Sequence, residues 1–445
     1  MTSPDELHRT IKLELDEGRA TTVAEAERLA STYKLNVIVG SDVATSATRQ
    51  AILLTALNCA PRAFRGGVAV SGDLDWTVTA GPFAGAPISE VALRLGTSLA
   101  PPFDGDTAAV VVGDAHHADA ERCIAPTWNG WAAAVTVSGH RLSESAENPV
   151  SGVLAGALAV SETFQAARGA VVASRRDIGL SLWDINTDWS SVDAVGPDLQ
   201  YLPTQLWLPG LGHLGQAYAW TISFLPYADP HEVHLLLQDF DTVVEANRST
   251  GLLVLPDTPE GVRKTRLVAA AMERRGLRTT IVERRFDDTT KLLVDEPRWA
   301  LAGFDSPTPR RHLDVFDLAI DLGLGAGHDD YLAMHLHSFP AAGNSSVVFD
   351  IETPRDAALP PAWAKQAASD PCGVLQLAGV AVGASFVGAA ASAVGVAELL
   401  RVLVRGPANA VASWDLRAPQ FFDAVPGDTA MVRNPGYQRI GASRT

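Results

Sequence analysis

Two groups of residues in this chain have the types and spacing needed to handle a nucleotide. The first follows a short apolar run, Leu206-Trp207-Leu208, and reads Pro209-Gly210-Leu211-Gly212-His213-Leu214-Gly215, a G-x-G-x-x-G. Glycines let the backbone approach a phosphate, and the N-terminus of a following helix offers unpaired N–H groups to hold it. A second apolar run, Val233 to Leu237, leads into Gln238-Asp239-Phe240-Asp241. Asp239 lies 24 residues beyond Gly215, where a nucleotide-binding βαβ unit puts its ribose ligand. Asp241, two residues on along a strand, points to the same face and can support Asp239 or the nucleotide. The second group is Arg298-Trp299-Ala300-Leu301-Ala302-Gly303-Phe304-Asp305, a strand pattern with an acid at its C-terminal end, followed by Arg310. A carboxylate there suits a hard cation such as Mg²⁺, and an N-cap is the plainer use for it. A candidate nucleophile, Cys372, sits in Asp370-Pro371-Cys372-Gly373.

Helices and strands must bring these residues together. The segment from Ala217 to Leu225 reads as a helix between the two apolar runs, and Lys264 to Arg274 as another. Upstream, Asp5 to Asp16 and Thr22 to Tyr33 read as helices, with Thr22 as a cap. Leu35 to Asp42 is a strand running into a turn, and Ser46 to Leu57 a helix. At the positions matching Gly210, Gly212 and Gly215 this first turn carries Gly40, Asp42 and Thr45. An aspartate facing a phosphate repels it, so the first turn is not expected to bind a nucleotide. Strands are expected at Gly67–Val70 and Ala108–Val112, near Gly169–Ser174 and at Leu180–Trp183. Aligning Glu162 with Glu398 puts Gly152 on Gly388, Ala155 on Ala391, Ala157 on Ala393 and Val160 on Val396. The glycine turns are 170 residues apart and these closing helices 236 apart. The chain therefore reads as two copies of one αβ unit, the second longer by insertions.

Composition bounds the rest. At 445 residues, two or three domains are expected. A net charge of −16 argues against a nucleic-acid partner, because phosphate binding needs a basic face. Cys59, Cys123 and Cys372 with no C-x-x-C exclude a disulfide framework and a four-cysteine zinc site. The first residues are polar and charged, so a cytoplasmic protein is expected. Val374 to Ala397 carries no charge and is long enough to span a bilayer. Its Ala, Gly, Val and Ser content and lack of an aromatic belt favour a helix buried on all sides, with no membrane partner.

The run Asp239-Phe240-Asp241-Thr242-Val243, with Asn247 and then Lys264, resembles the ThiF/MoeB/ubiquitin-activating enzyme superfamily, whose members adenylate the C-terminal carboxylate of a ubiquitin-like or sulfur-carrier protein. The resemblance is specific over roughly 200–406 and architectural over 35–169. It implies an α/β fold of two Rossmann-like units in a pseudo-dimeric arrangement, the first degenerate and the second active. The expected division is 1–170 for the degenerate unit, 171–202 for a connector, 203–406 for the active unit and 407–445 for a tail packed on it. ATP and Mg²⁺ are the implied cofactors. Gly210, Gly212 and Gly215 would lie against the phosphates, Asp239 on the ribose, and Asn247 and Lys264 near the triphosphate. Asp305 would hold the metal, with Arg310 completing a strand-D-x-x-x-x-R pattern. The family usually has an arginine three residues beyond the asparagine. This chain has Thr250 there and Arg248 one residue beyond, so Arg248 is the candidate phosphate cation. Arg9 and Arg19 are candidates for an N-terminal helix arginine that reaches the phosphates across the interface. Cys372 is the implied acceptor of the activated carrier as a thioester. The carrier and a conjugating enzyme are expected to be separate proteins, and a homodimer of such chains is compatible with this reading. Adenylation of a short peptide without a cysteine step, or a scaffold that binds a ubiquitin-like partner without catalysis, are the competing readings.

Overall fold

The computed structural model describes residues 6–103, 105, 107–115, 123–137, 139–325, 327–350, 381–428 and 434–440. Two sheets are built to one plan. The first contains β1 (Leu35–Val39), β2 (Val68–Gly72), β3 (Ser98–Leu99), β4 (Ala109–Val112), β5 (Cys123–Asn129), β6 (Ala132–Thr136) and β7 (Ile178–Ser181), in the order β3-β2-β1-β4-β5-β6-β7. After a short β8 (Tyr201–Pro203), the second contains β9 (Gln205–Pro209), β10 (His234–Gln238), β11 (Arg278–Val282), β12 (Trp299–Ala302), β13 (Leu318–Leu324), β14 (Ala333–Phe339), β15 (Asn409–Asp415) and β16 (Phe422–Pro426). Its order is β11-β10-β9-β12-β13-β14-β15-β16. In each sheet the first five strands pair in parallel and the remainder antiparallel. The duplication inferred from the two glycine turns is thus present strand for strand, with β16 as an addition.

The first-sheet boundary differs from the sequence expectation in one place. Ala170–Arg175 forms turns, not a strand, and the closing strand is β7. Gly169 takes φ +94°, a left-handed conformation that ends the preceding helix. At the other end, the tail is used as sheet: β15 and β16 extend the second sheet, and β17 (Tyr437–Arg439) pairs with β8.

Helices α1 (Arg9–Asp16) and α2 (Val23–Ala30) precede β1, and Thr22 caps α2 by accepting from the Glu25 N–H. Each glycine turn is followed by a helix, α3 (Ala47–Ala63) in the first unit and α6 (His213–Ser223) in the second. α4 (Ile88–Arg94) and α7 (Lys264–Arg274) follow further on. The closing helices are α5 (Pro149–Ala167) and α8 (Ser385–Leu403), 19 residues each and 236 positions apart, the register the small residues had implied. Both are long and apolar enough to cross a membrane, and both are 94% buried. α5 packs on α3 and α8 on α6, and α5 and α8 pack on each other.

Glycine makes this packing close. A Cβ at Gly156 would stand 2.5 Å from the Ile52 carbonyl oxygen, and one at Gly395 would stand 2.9 Å from the Tyr218 ring. Across the halves, Phe164 and Phe386 rings lie 5.7 Å apart and Trp220 Nε1 donates to Thr55 Oγ1 at 3.0 Å. Each closing helix also buries one glutamate at the aligned position. Glu162 accepts from the Ser174 N–H at 2.8 Å and from Arg176 at 3.2 Å. Glu398 accepts from the Asn409 N–H at 2.7 Å, from Asn409 Nδ2 at 3.0 Å and from Arg401.

Candidate functional site

In an open αβ sheet the ligand crevice lies outside the carboxyl ends of the strands where the strand order reverses. In the second sheet that point is between β9 and β12. The glycine turn leaves β9, and Gly303-Phe304-Asp305 leaves β12 beside it. The two are in tight register. Gly303 N–H donates to the Pro209 carbonyl at 2.9 Å, and a Cβ on Gly303 would stand 2.5 Å from the Gly210 oxygen. Gly210 itself takes φ +82°.

The turn is held from below. Asp239, 8% exposed at the end of β10, accepts the Leu211 N–H at 2.6 Å with one oxygen and the Asp241 N–H at 2.7 Å with the other. Gln216, one turn into α6, donates to the Leu211 carbonyl at 3.1 Å and accepts from the Leu253 N–H at 3.1 Å. What the turn presents upward is left open. α6 has no side-chain cap, and a Cβ on Gly212 would meet no atom of a described residue within 4 Å. A helix start with free N–H groups and room above it fits a phosphate.

The first unit shows what a closed version looks like. At its own reversal point, between β1 and β4, Asp42 accepts the Asp114 N–H at 2.7 Å and pairs with Arg49 Nε at 3.1 Å. Arg49 also pairs with Glu144 at 2.8 Å. At the start of α3, Glu147 accepts the Thr48 N–H at 2.9 Å and the Ser46 hydroxyl at 2.6 Å. In the first unit, protein carboxylates thus bond the helix start and the turn after β4.

Lys264 opens α7, and its Nζ lies 3.0 Å from Asp241 Oδ2 while its N–H donates to the Asp241 carbonyl at 3.1 Å. Asn247 sits in the 3-10 turn Glu245–Ser249, where its side-chain oxygen accepts the Val244 N–H at 3.0 Å. Arg248 is occupied within the same loop. It pairs with Glu245 at 2.6 Å and donates to the carbonyls of Leu255 at 2.9 Å, Pro256 at 3.0 Å and Thr258 at 2.9 Å. Thr250 is buried, and its methyl lies 3.1 Å from where a Gly383 Cβ would be. Asp305 is exposed and makes no hydrogen bond or ion pair with a described residue. Arg19 is bound to Glu14 and to the Arg168 carbonyl in its own half, whereas α1, which begins at Arg9, packs against the Glu245–Ser249 turn. Cys372 lies outside the described residues. A cavity lined by Asp314, Phe316, Phe339 and Pro340 opens at the opposite ends of these strands and takes no part in this site.

Two residues that sequence reasoning did not single out bear on the crevice. His213, the first residue of α6, tucks its imidazole beneath Gly388, where a Cβ would stand 2.4 Å from Nε2. Burial pulls this imidazole down to about 4, so it is neutral at pH 7. Asp321 on β13 is fully buried, 3.3 Å from Arg310 Nε. Arg310 donates to the Phe304 carbonyl at 2.6 Å and the Leu322 carbonyl at 3.2 Å, so it braces the residue before Asp305. An aspartate inside an apolar strand gave a faint signal. Its partner, eleven residues earlier, could not be read from spacing.

Burial pushes the Asp321 carboxyl up to about 6, against the pull of Arg310. The folded state therefore holds this proton more tightly than the unfolded chain, whose value is near 3.8. The stabilising contribution is complete below about pH 4 and is lost as pH rises through about 6. Urea unfolding of wild type and Asp321→Asn at both ends of that window should differ in slope, by a contribution on the order of 3 kcal/mol. Parallel pH profiles would show that Asp321 is not the titrating group.

Residues 202–406 match the family model described as the BilD C-terminal domain, and residues 34–182 match the BilD N-terminal domain. The bacterial E1-like protein BilD of Collimonas sp. (strain OK412) is 35% identical over 453 residues, covering 98% of this chain and 94% of that protein. Among solved structures, E. coli MccB with succinimide aligns over 54% of this chain and 64% of its own length, at 12% identity and a TM-score of 0.33. The E. coli tRNA N6-threonylcarbamoyladenosine dehydratase TcdA with AMP aligns over 44% of this chain and 85% of its own, at 17% identity and a TM-score of 0.29. Likenesses at these TM-scores support no further conclusion. The Collimonas relative matches at a level, and over a length, that decide the matter: the chain belongs to the BilD family of bacterial E1-like proteins.

Proposed function

We propose that the second unit binds Mg·ATP and adenylates the C-terminal carboxylate of a small ubiquitin-like or sulfur-carrier protein, and that Cys372 then takes the acyl group as a thioester. One observation carries this reading. Carboxylates bond the helix start and turn of the first unit, whereas the second keeps an uncapped helix start, no described atom within 4 Å of a Cβ at Gly212, and an exposed carboxylate at Asp305.

In this reaction an oxygen of the carrier carboxylate attacks the α-phosphorus of ATP and pyrophosphate leaves. The chain must orient two anionic reactants and meet charge that grows on phosphate oxygens. The N–H groups at the start of α6 would face those oxygens. Each oxygen of Asp239 accepts one backbone N–H and retains capacity for a ribose hydroxyl. Lys264, oriented by Asp241, would add a point charge. Asp305 would hold Mg²⁺ together with substrate phosphates, and the ion when bound neutralises phosphate charge. Arg310, braced by Asp321, fixes the turn that carries Asp305. The Cys372 thiolate would attack the acyl carbon of the adenylate, and AMP would leave as the acyl–phosphate bond breaks.

The test is carrier-dependent ATP–pyrophosphate exchange with small proteins ending in Gly-Gly. Exchange should need the carrier and fall by at least about 100-fold in Asp305→Ala. Cys372→Ala should keep exchange and lose the thioester band on a non-reducing gel. Exchange unaffected by Asp305→Ala would remove the metal role. Full product formation by Cys372→Ala would favour a peptide substrate activated without a cysteine step. An absence of ATP binding would leave the scaffold reading.

A further inference from the structure

Next to the turn that carries Asp305, the second sheet buries polar groups whose hydrogen bonds are unmade. Asp321 is fully buried on β13, yet among the described residues neither oxygen of its carboxylate has a hydrogen-bond partner. Arg310 Nε faces Oδ1 at 3.3 Å without hydrogen-bond geometry. His337 Nδ1 is buried and open as well. These groups share one place. Asp321 and His337 are directly paired across β13 and β14, so their side chains stand on the same face of the sheet. On its other side Asp321 pairs with Ala302, the residue of β12 that precedes Gly303-Phe304-Asp305. The guanidinium that faces Asp321 also donates to the Phe304 carbonyl at 2.6 Å. The Phe349 ring lies over the cluster, 5.7 Å from the Arg310 guanidinium and edge-on to His337 at 5.3 Å.

Buried carboxylates are ordinarily met by hydrogen bonds, and one left open is costly unless a ligand meets it. The first unit has no such cluster at the matching position. Asp321 stands three residues beyond the first β12–β13 pair, and three residues beyond the first β4–β5 pair is Pro126, which is paired with Val135. The open acid therefore accompanies the turn with the uncapped helix start. Its ligand must offer a donor without a charge. Arg310 already answers the carboxylate's charge, and a second cation would be repelled by it. His337 supplies no charge, because burial, Arg310 and His335 pull its imidazole down to about 4. The N–H of a peptide unit meets these demands, and a peptide C-terminus is what adenylation would bring to this end of β12.

We propose that Asp321 is a specificity-determining residue that accepts the N–H of the last residue of the chain to be activated, in the place where the Phe349 ring now lies. The proposal rests on adenylation at the second crevice. It sets a demand on the substrate: the terminal residue must carry an N–H, so a chain that ends in proline or in an N-alkylated residue is refused.

The experiment uses stable mimics of the acyl-adenylate. Glycylglycyl-sulfamoyladenosine, its analogue with N-methylglycine as the last residue, and AMP are titrated into the full chain by calorimetry, in wild type, Asp321→Ala and Asp321→Asn. In wild type the N-methyl analogue should bind about tenfold or more weaker than the Gly-Gly mimic. Asp321→Ala should weaken the Gly-Gly mimic by a similar factor, bind the two mimics alike and leave AMP within about twofold of wild type. Asp321→Asn keeps an uncharged acceptor and should fall between them. A role confined to bracing Arg310 would instead weaken AMP and both mimics together, and that result would overturn the proposal. So would an Asp321→Ala chain that still prefers the Gly-Gly mimic. If Asp321→Ala does not fold, wild type decides, because equal binding of the two mimics would overturn the proposal without any variant. Wild type that binds neither AMP nor a mimic would bring down the nucleotide reading beneath it.

Discussion

Glu398→Ala should cost the protein about 3–5 kcal/mol of stability, with catalysis lost only as a consequence. Glu398 is fully buried in α8 and answers three groups at once: the Arg401 guanidinium, the Asn409 N–H and the Asn409 side chain. Alanine would leave Arg401, 1% exposed, as a buried cation whose other acceptor among the described residues is the Leu182 carbonyl in the first half. It would also strand the N–H that begins β15. The aligned Glu162→Ala should cost less. Its partner Arg176 keeps a quarter of its side chain in solvent and can rehydrate. Urea unfolding of both variants checks the order, and a Glu398→Ala midpoint equal to that of Glu162→Ala would refute it. Glu398→Gln is the milder control, since an amide can still accept from the Asn409 N–H.

Gly212→Ala should have the opposite profile, little change in stability and a loss of ATP affinity on the order of 10- to 100-fold. No atom of a described residue lies within 4 Å of the methyl that alanine would add at Gly212. With no such neighbour for the methyl, a loss of affinity would report a ligand over the turn. Gly215→Ala is the contrasting case. Its Cβ would fall 1.9 Å from the Gly210 carbonyl oxygen, so the turn itself must open, and stability and binding should fall together. Thermal unfolding beside ATP titration separates the two. If Gly212→Ala bound ATP as wild type does, the phosphates would not lie over this turn.

Local pattern carried a great deal of this molecule. The G-x-G-x-x-G between two apolar runs placed β9, α6 and β10, because a glycine turn and a change of hydrophobic period are read from adjacent residues. The acid at the end of Arg298–Ala302 came out beside that turn, since parallel strands around a reversal point bring their C-terminal ends together. The small residues of α5 and α8 gave the duplication and its register of 236, because close helix packing constrains residue size at fixed spacing. The Gly169–Ser174 segment was less legible. Short turn-rich stretches carry no periodicity, and whether they form strands depends on an edge being available.

What tertiary structure alone decided is which charges face one another. Arg248, read as a phosphate cation, is bound to its own loop by carbonyls up to ten residues away. Asp42 is held because Asp114, in the bend that follows β4, offers its N–H. Arg62 meets the 248–254 loop across a sequence separation of 186 to 192 residues. Residue type and local spacing determine which turns and helices can form and which atoms they can offer. Which buried ion meets which partner depends on how two folded units close on each other, and the cost of leaving a charge unanswered in that interface makes the pairing specific.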